Sequence, residues 1–191
     1  MAFLDGKYQI SWVPDNGAPV CIDCSQIQEI KFKAEEKIIE GKTLCGTVKK
    51  PSGSFDTLEV VSTIYLNSFD ELGLIFPSMY TAPSGTGVCG QLNFGGASCS
   101  SLAETGVLNL HRVCDDNDCN DINLPLATAS VNFDVTLNGD DFVTVDITWL
   151  GEGSFRLGTS DPTQEVNFNC DTGVAARMAA PKVAAEAIAT K

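Results

Sequence analysis

The stretch that decides the fold is VNFDVTLNGDDFVTVDITW, residues 131–149. Apolar and polar residues alternate on both sides of its central Asn-Gly pair, so that Val143, Val145 and Ile147 are separated by single polar residues. Alternation with a period of two indicates a strand with one buried face, and Asn-Gly tolerates the positive φ angles of a hairpin turn. The stretch therefore predicts an antiparallel β-hairpin with one apolar face and one polar face.

Strand patterns recur along the rest of the chain, and one short helix interrupts them. Ser68 followed by Glu71 predicts a capping box that opens a helix through Leu72 and Ile75, and Pro77 ends it. The predicted strands have either period-two alternation or many β-branched residues, and they cover residues 7–13, 30–34, 58–66, 107–113, 122–127, 155–158 and 165–169.

The length and these patterns predict one domain over residues 1–173. Its fold class is mainly β, a β-sandwich or small barrel with one short flanking helix and extended loops or arms. Residues 35–54 are polar and contain glycines, which predicts a long exposed loop or arm between strands. Residues 78–101 are rich in Gly and Ser and predict an irregular excursion. Residues 174–191 are Ala-rich and predict a C-terminal arm or frayed helix.

The charge balance excludes some partners. The chain has 191 residues and a formal net charge of −13, from 25 acidic and 12 basic residues. Such a surface repels nucleic acid and anionic lipid, so neither a stable nucleic-acid complex nor a membrane partner is expected. The first residues lack the basic flank and apolar core of a signal peptide, which predicts synthesis in the cytoplasm.

Eight cysteines do not suit a protein that stays in the reducing cytosol. A protein that is made in the cytoplasm and released by lysis, as virion proteins are, meets oxidising conditions only after assembly. The cysteines are therefore candidates for disulfides or intersubunit crosslinks: Cys21, Cys24, Cys45, Cys89, Cys99, Cys114, Cys119 and Cys170.

Cys21 and Cys24 have the spacing of a zinc knuckle or a redox site. Zinc needs a second pair, and the compact candidate is Cys114 with Cys119, but three of the four residues between them are Asp. The redox alternative lacks the surrounding βαβ pattern. We therefore favour disulfides or free thiols and expect no metal and no cofactor.

The acidic run at residues 115–121 invites comparison with a calcium loop. Counted from Asp116, the sixth position is Asp121 instead of Gly and the twelfth is Ala127 instead of Glu, so the EF-hand spacing is broken. A solvated acidic turn, closed by Cys114 and Cys119, is the preferred interpretation.

No catalytic site is predicted, and the chain is not expected to be an enzyme. His111 is the single histidine, and no nucleophile with an orienting acid accompanies it in the local sequence, which favours a structural role. Residues 85–90 are glycine-rich but lack the Lys-Ser/Thr that follows in a phosphate-binding loop.

The order of these segments resembles the tail tube proteins of tailed bacteriophages (the major tail protein family). The resemblance covers residues 6–158 and is carried by GKYQISWVP (6–14), IQEIKF (27–32), the long loop before Phe55, the helix at 68–75, VLNLH (107–111), DINLPLA (121–127), the hairpin, WLG (149–151) and FRLG (155–158). The cysteines depart from the usual pattern of the family.

The resemblance implies a virion structural protein located in the phage tail. Protomers of this family close into hexameric rings that stack into a tube, and the tube conducts DNA during ejection. The implied partners are other copies of the chain and tail proteins such as sheath, terminator or tail-tip components, with transient passage of DNA. An acidic lumen suits this function, because it repels phosphate and lets DNA slide. Residues 35–54 and the chain ends are expected to make the contacts between rings.

Two other classes of protein fit parts of the sequence. A capsid decoration or head-surface protein shares the β-rich composition, and differs by forming small oligomers on a shell. A zinc-binding cytosolic module requires that Cys21, Cys24, Cys114 and Cys119 converge on one metal ion.

Overall fold

The computed structural model describes residues 7–85, 89–93, 104–112, 120–132 and 143–158, and the backbone of Ala176–Arg177. The predicted mainly β fold with one short α-helix is confirmed. The strands are β1 (Tyr8–Pro14), β2 (Val20–Ile22), β3 (Ile27–Thr43), β4 (Gly46–Leu66), β5 (Tyr80–Thr81), β6 (Gln91–Leu92), β7 (Glu104–Arg112), β8 (Ile122–Asn132), β9 (Val143–Gly151), β10 (Arg156–Leu157) and β11 (Ala176–Arg177), and the helix is α1 (Leu72–Ile75).

One large sheet contains all these strands except β5 and β6, which pair only with each other. The strand order is β11-β2-β1-β7-β8-β9-β4-β3, with β10 paired to the start of β8. Every pairing is antiparallel except that of β11 with β2. Among the described strands, β3 and β11 form the two edges, so the sheet is open and not a closed barrel.

The decisive hairpin appears as strands β8 and β9, which pair from Ala127 opposite Gly151 to Asn132 opposite Asp146. Val145, Ile147 and Trp149 are buried, as the alternation predicts. The predicted turn lies outside the described residues, as do Phe133, Val135 and Leu137 of the first arm.

A β-bulge interrupts β8, and the other edge of β8 pairs with a different strand before and after it. The pairing with β7 shifts between Gly106 and Leu108, so that Pro125 and Leu126 stand opposite a single residue. Proline within a sheet is confined to edges and bulges, because it has no N–H to donate to the ladder. Beyond the bulge β8 pairs with β9, whereas its first two residues pair with β10.

The sheet curls around a single apolar core. Strands β1 and β9 are three steps apart, which corresponds to about 14 Å in a flat sheet. The rings of Trp12 and Trp149 nevertheless lie only 6.3 Å apart between centroids. Both side chains therefore point to the concave side of a strongly curved sheet, where they are fully buried together with residues of β2, β4, β7 and β8.

The helix covers one end of this core. Leu72, Ile75 and Phe76 are fully buried, and Trp12 Nε1 donates to the Ile75 carbonyl over 3.1 Å. The predicted start is correct, since a 3-10 turn at Phe69–Glu71 precedes α1. The cap differs from a standard capping box, because Ser68 makes no side-chain cap bond and Glu71 accepts from the backbone N–H and side-chain amide of Asn67 at 2.9 and 3.0 Å.

Three segments differ from the expectation of irregular structure. Residues 35–54 are exposed except for the half-buried Ser52, but they are not a loop, because β3 and β4 extend through them as paired strands. In the C-terminal segment, predicted to be an arm or a frayed helix, Ala176–Arg177 form strand β11. In the excursion at 78–101, β5 and β6 pair, and Tyr80 donates to Asp70 over 3.3 Å. Burial and the Asp70 charge raise the pKa of Tyr80.

Candidate functional site

A long hairpin arm leaves the curled sheet at its β3 edge. We define the hairpin arm as residues 36–51, every one of which is exposed. Its strands pair from Ile38 opposite Pro51 to Thr43 opposite Gly46, with Leu44 and Cys45 at the tip. Gly46 adopts φ +131°, which a residue with a side chain rarely does, so this glycine permits the tight turn.

Four large apolar side chains project from the hairpin arm into solvent. Their exposed fractions are 59% for Ile38, 55% for Ile39, 108% for Leu44 and 44% for Val48. A two-stranded hairpin without a packed face is at best marginally stable in water. The hairpin arm therefore has the composition of an element that packs against something other than its own domain.

The two faces of the hairpin arm differ. Residues that stand opposite each other in an antiparallel pair share a face, so Ile39, Gly41 and Val48 lie on one side together with Lys50, which is opposite Ile39. The other side carries the Glu40–Lys49 ion pair and also Ile38. No atom lies within 4 Å of a Cβ added at Gly41, so the face with Ile39 and Val48 is open beside Val48.

An aromatic cluster and a bulge fix the base of the hairpin arm. The ring of Phe155 packs edge-on against that of Phe32, with 5.1 Å between the centroids. It also packs at a tilt against the ring of Phe55, with 5.2 Å between the centroids. The β3–β4 register shifts on either side of Glu36, and the Gly53 N–H donates to the Glu36 carboxylate over 3.2 Å. Since Phe32 belongs to β3 and Phe55 to β4, the cluster holds both strands to the body where the arm begins.

A groove lies beside the base of the hairpin arm and opens to the surface. Its volume is about 690 Å³, and its rim includes the exposed side chains of Lys7, Ser25, Gln28 and Glu29, with Cys24 beside them. The floor is apolar and combines residues from β1, β3, β7 and β8, namely Tyr8, Ile27, Ile30, Phe32, Leu110 and Ile122.

The convex face of the sheet is polar and rich in hydroxyl groups. Thr63 donates to the Asp146 carboxylate over 2.6 Å, and Ser130 donates to the Thr148 carbonyl over 3.3 Å. Lys31 pairs with Glu29 at 2.8 Å, and the hydrogen bond and charge of Glu29 raise the pKa of Lys31. The cations of this face are thus partly neutralised by neighbouring carboxylates.

The four cysteines in the described part of the chain differ in state and position. Cys21 is disulfide-bonded and buried, whereas Cys24, Cys45 and Cys89 carry thiols. Cys45 is exposed at the tip of the hairpin arm, and Cys24 lies at the groove. The four remaining cysteines lie outside the described residues: Cys99, Cys114, Cys119 and Cys170.

The disulfide at Cys21 argues against the zinc alternative. A sulfur in a disulfide is not a thiolate, so Cys21 cannot act as a zinc ligand in this state. Within the described ranges, no three His, Cys, Asp or Glu side chains are grouped so as to hold a metal ion. The second pair of the predicted zinc set, Cys114 and Cys119, is among the residues not described.

His111 has a partner that the sequence analysis did not find. Its Nδ1 lies 2.9 and 3.0 Å from the two carboxylate oxygens of Asp121, and both side chains are largely buried. Asp121 also accepts from the Arg112 backbone N–H at 3.3 Å, and its carbonyl accepts from the Gly158 N–H at 2.8 Å. The expectation of a solvated turn is therefore wrong for Asp121, which ties β7, β8 and the end of β10 together.

No helix in the described part of the chain has the length and apolar character needed to cross a membrane. Most of the acidic run at 115–121 and residues 86–88 of the glycine-rich segment lie outside the described residues.

Comparisons with known proteins give no match to a family profile and none to a curated protein sequence. Among solved structures, the chain is similar to a component of the sheath–tube complex of an extracellular contractile injection system, PVC, in the extended state, with 14% identity and a TM-score of 0.43 over 79% of this chain and 88% of that chain. It is also similar to a component of the sheath/tube terminator of that system, with 10% identity and a TM-score of 0.44 over 82% of this chain and 97% of that chain.

Proposed function

We propose that this chain is the structural protomer of a phage tail tube, which assembles into stacked rings whose lumen conducts DNA. The observation that carries the proposal is the hairpin arm, whose 16 residues are exposed on both faces although four of them are large and apolar. Burying such side chains against another protomer gains about 1.5–3 kcal/mol for each one that is fully covered.

The open sheet supports the same proposal. Unpaired edge strands offer their backbone N–H and C=O groups to a neighbouring chain, and closure of a ring removes these edges. Strand β3 is such an edge, and it also supplies one side of the hairpin arm. A protomer that pairs at this edge and reaches outward with its arm can make contacts both within a ring and between rings.

The charge of the chain supports DNA conduction. A net charge of −13 gives a tube whose lumen repels phosphate, so that DNA passes without being trapped. The convex sheet face, which carries Thr63, Ser130 and Asp146, is the proposed lumen lining. The proposed location is the virion tail, and the partners are further copies of this chain and the sheath, terminator or tail-tip proteins.

The experiment is removal of the hairpin arm. Replacing residues 36–50 by Asn-Gly is expected to leave a folded protein, because the arm contributes nothing to the buried core, and to abolish tubes in electron micrographs. A second variant keeps the arm but replaces Ile38, Ile39, Leu44 and Val48 by Ser, with Phe69→Ser as a control for an exposed apolar residue elsewhere. Normal polymerisation of either arm variant contradicts the proposal.

A further inference from the structure

We propose that the groove beside the β3 edge receives the face of the hairpin arm that carries Ile39 and Val48, from a second copy of this chain. The inference rests on the self-assembly proposed above and adds the place where the arm binds. It assigns a projecting apolar surface and a recessed one, both within the described residues, to each other.

The occupant is another copy, because the hairpin arm does not lie on its own domain. All of residues 36–51 are exposed, and the aromatic cluster at Phe155 holds the base of the arm beside the groove. An arm that leaves one protomer and enters the groove of the next makes a head-to-tail contact. Contacts of this kind propagate into rings or filaments, whereas a self-complementary contact stops at a dimer.

The shapes of the two surfaces agree. Ile39 and Val48 share one face of the hairpin arm with Lys50, and Gly41 opposite Val48 leaves open space beside the valine. The groove floor is apolar and its volume is about 690 Å³. Cavities of roughly 300–1,000 Å³ hold whole small ligands, so two aliphatic side chains fit within it. The Glu40–Lys49 ion pair on the opposite face of the arm then stays in water.

The charges favour the same contact. The hairpin arm contains four lysines and two glutamates, although the whole chain has only 12 basic residues against 25 acidic ones. The arm is therefore a positive segment on a strongly negative molecule, and its lysines are attracted to the body of another copy. At the groove itself Glu29 already pairs with Lys31 and Lys7 adds a positive charge, so the attraction comes from the negative body as a whole, including the exposed Asp23 next to Cys24.

The first test fills the groove without altering the core. Ser25 is exposed at the rim, so Ser25→Trp places a large side chain over the groove, and Thr81→Trp on the exposed side of β5 is the matched control. Sedimentation velocity of the full chain is expected to show at least a tenfold weaker self-association for Ser25→Trp and wild-type behaviour for Thr81→Trp. A folded Ser25→Trp protein that assembles normally overturns the inference.

Mixing two variants separates this inference from the proposed function. Ser25→Trp keeps its arm, and a second protein with Ile39→Asp and Val48→Asp keeps its groove. Each is expected to be defective alone, and an equimolar mixture is expected to give a one-to-one complex that does not grow. If wild type assembles and the mixture gives no complex, the groove assignment is wrong and the proposed function stands. If wild type remains monomeric, the proposed function itself fails.

A crosslinking measurement is independent of how the tryptophan variant folds. A photoreactive benzoylphenylalanine in place of Ile39, on the arm face proposed to enter the groove, is irradiated in an otherwise wild-type assembly. Mass spectrometry is expected to find crosslinks between chains to residues 24–32 at the groove. Crosslinks only to other surfaces, or only within one chain, overturn the inference.

Discussion

At the scale of single residues, buried polar groups hold segments that are distant in the chain. Asp121 receives a hydrogen bond from the Arg112 backbone and contacts His111, while its carbonyl binds the Gly158 N–H. The carboxylate is almost fully buried, so a polar group that loses its hydrogen-bond partner there cannot bond to water instead. Asp121 is therefore a structural residue that fixes where β8 begins.

We predict that Asp121→Asn destabilises the protein. The substitution removes the charge from the contact with His111 and turns an acceptor oxygen into a donor. The free energy of unfolding is expected to fall by about 1–3 kcal/mol, measured by urea denaturation. The exposed Asp56→Asn is the control and is expected to change it by less than about 0.5 kcal/mol. Equal effects of the two substitutions would refute this assignment of Asp121.

A second residue-scale prediction concerns Gly106. This glycine pairs with Pro14 on one side and Ala127 on the other, and a Cβ there would lie 2.1 Å from the Val13 carbonyl oxygen. Because backbone must move to relieve that clash, Gly106→Ala is expected to cost about 1–3 kcal/mol in thermal or urea unfolding. Gly41→Ala, where the added Cβ meets nothing, is the matched control and should leave stability unchanged.

At the scale of elements, the base of the hairpin arm determines its direction. Phe155 contacts Phe32 of β3 and Phe55 of β4, so one side chain from the β9–β10 connection holds both strands of the arm. Beyond this cluster every residue of the arm is exposed, and the arm is held by its own cross-strand hydrogen bonds and the Glu40–Lys49 ion pair. Loss of the cluster should therefore affect the arm more than the core.

We predict that Phe155→Ala loosens the hairpin arm while the fold survives. Backbone amides of residues 36–55 are expected to exchange with deuterium faster than in wild type, whereas amides of β1 and β7 keep their protection. Phe69→Ala, an exposed aromatic outside the cluster, should not change exchange in the arm. Unchanged exchange in Phe155→Ala would mean that the cluster does not anchor the arm.

The elements also show which parts of the structure the sequence can predict. The alternation of Val145, Ile147 and Trp149 identifies β9 because one face of that strand is buried. Alternation does not identify the strands of the hairpin arm, because both of its faces are exposed and its residues therefore have no period-two burial pattern. Strand pairing there depends on the partner strand across the turn, which local composition does not reveal.

The candidate site was predicted only in part for a similar reason. Residues 35–54 were expected to reach a neighbour on composition alone, but the groove combines side chains from four strands that are far apart in the chain. Likewise, His111 meets Asp121 only because β7 and β8 are adjacent. Such neighbours follow from the strand order and not from any local motif.

At the scale of the whole molecule, the cysteines are proposed to strengthen an assembly that the sheet and the hairpin arm already specify. We predict that non-reducing gels of mature particles show oligomer ladders that collapse with a reductant, with Cys45 at the arm tip as one link. Reduction is expected to lower the melting temperature of the assembly and leave its geometry unchanged, since each crosslink contributes a few kcal/mol at most. Cys45→Ser should reduce the intensity of the oligomer bands on the non-reducing gel. Monomer-only bands together with a stoichiometric zinc content would favour the zinc-binding alternative.

The central claim is that this chain builds a tube from copies of itself, and electron microscopy of the purified full-length protein tests it most directly. Negative-stain images over a range of concentrations, with and without a tail-tip complex as nucleus, are expected to show rings of uniform diameter and tubes of stacked rings. Small particles without a central channel would indicate a head-surface protein instead. A monodisperse monomer at the highest concentration, with or without the nucleus, would contradict the account.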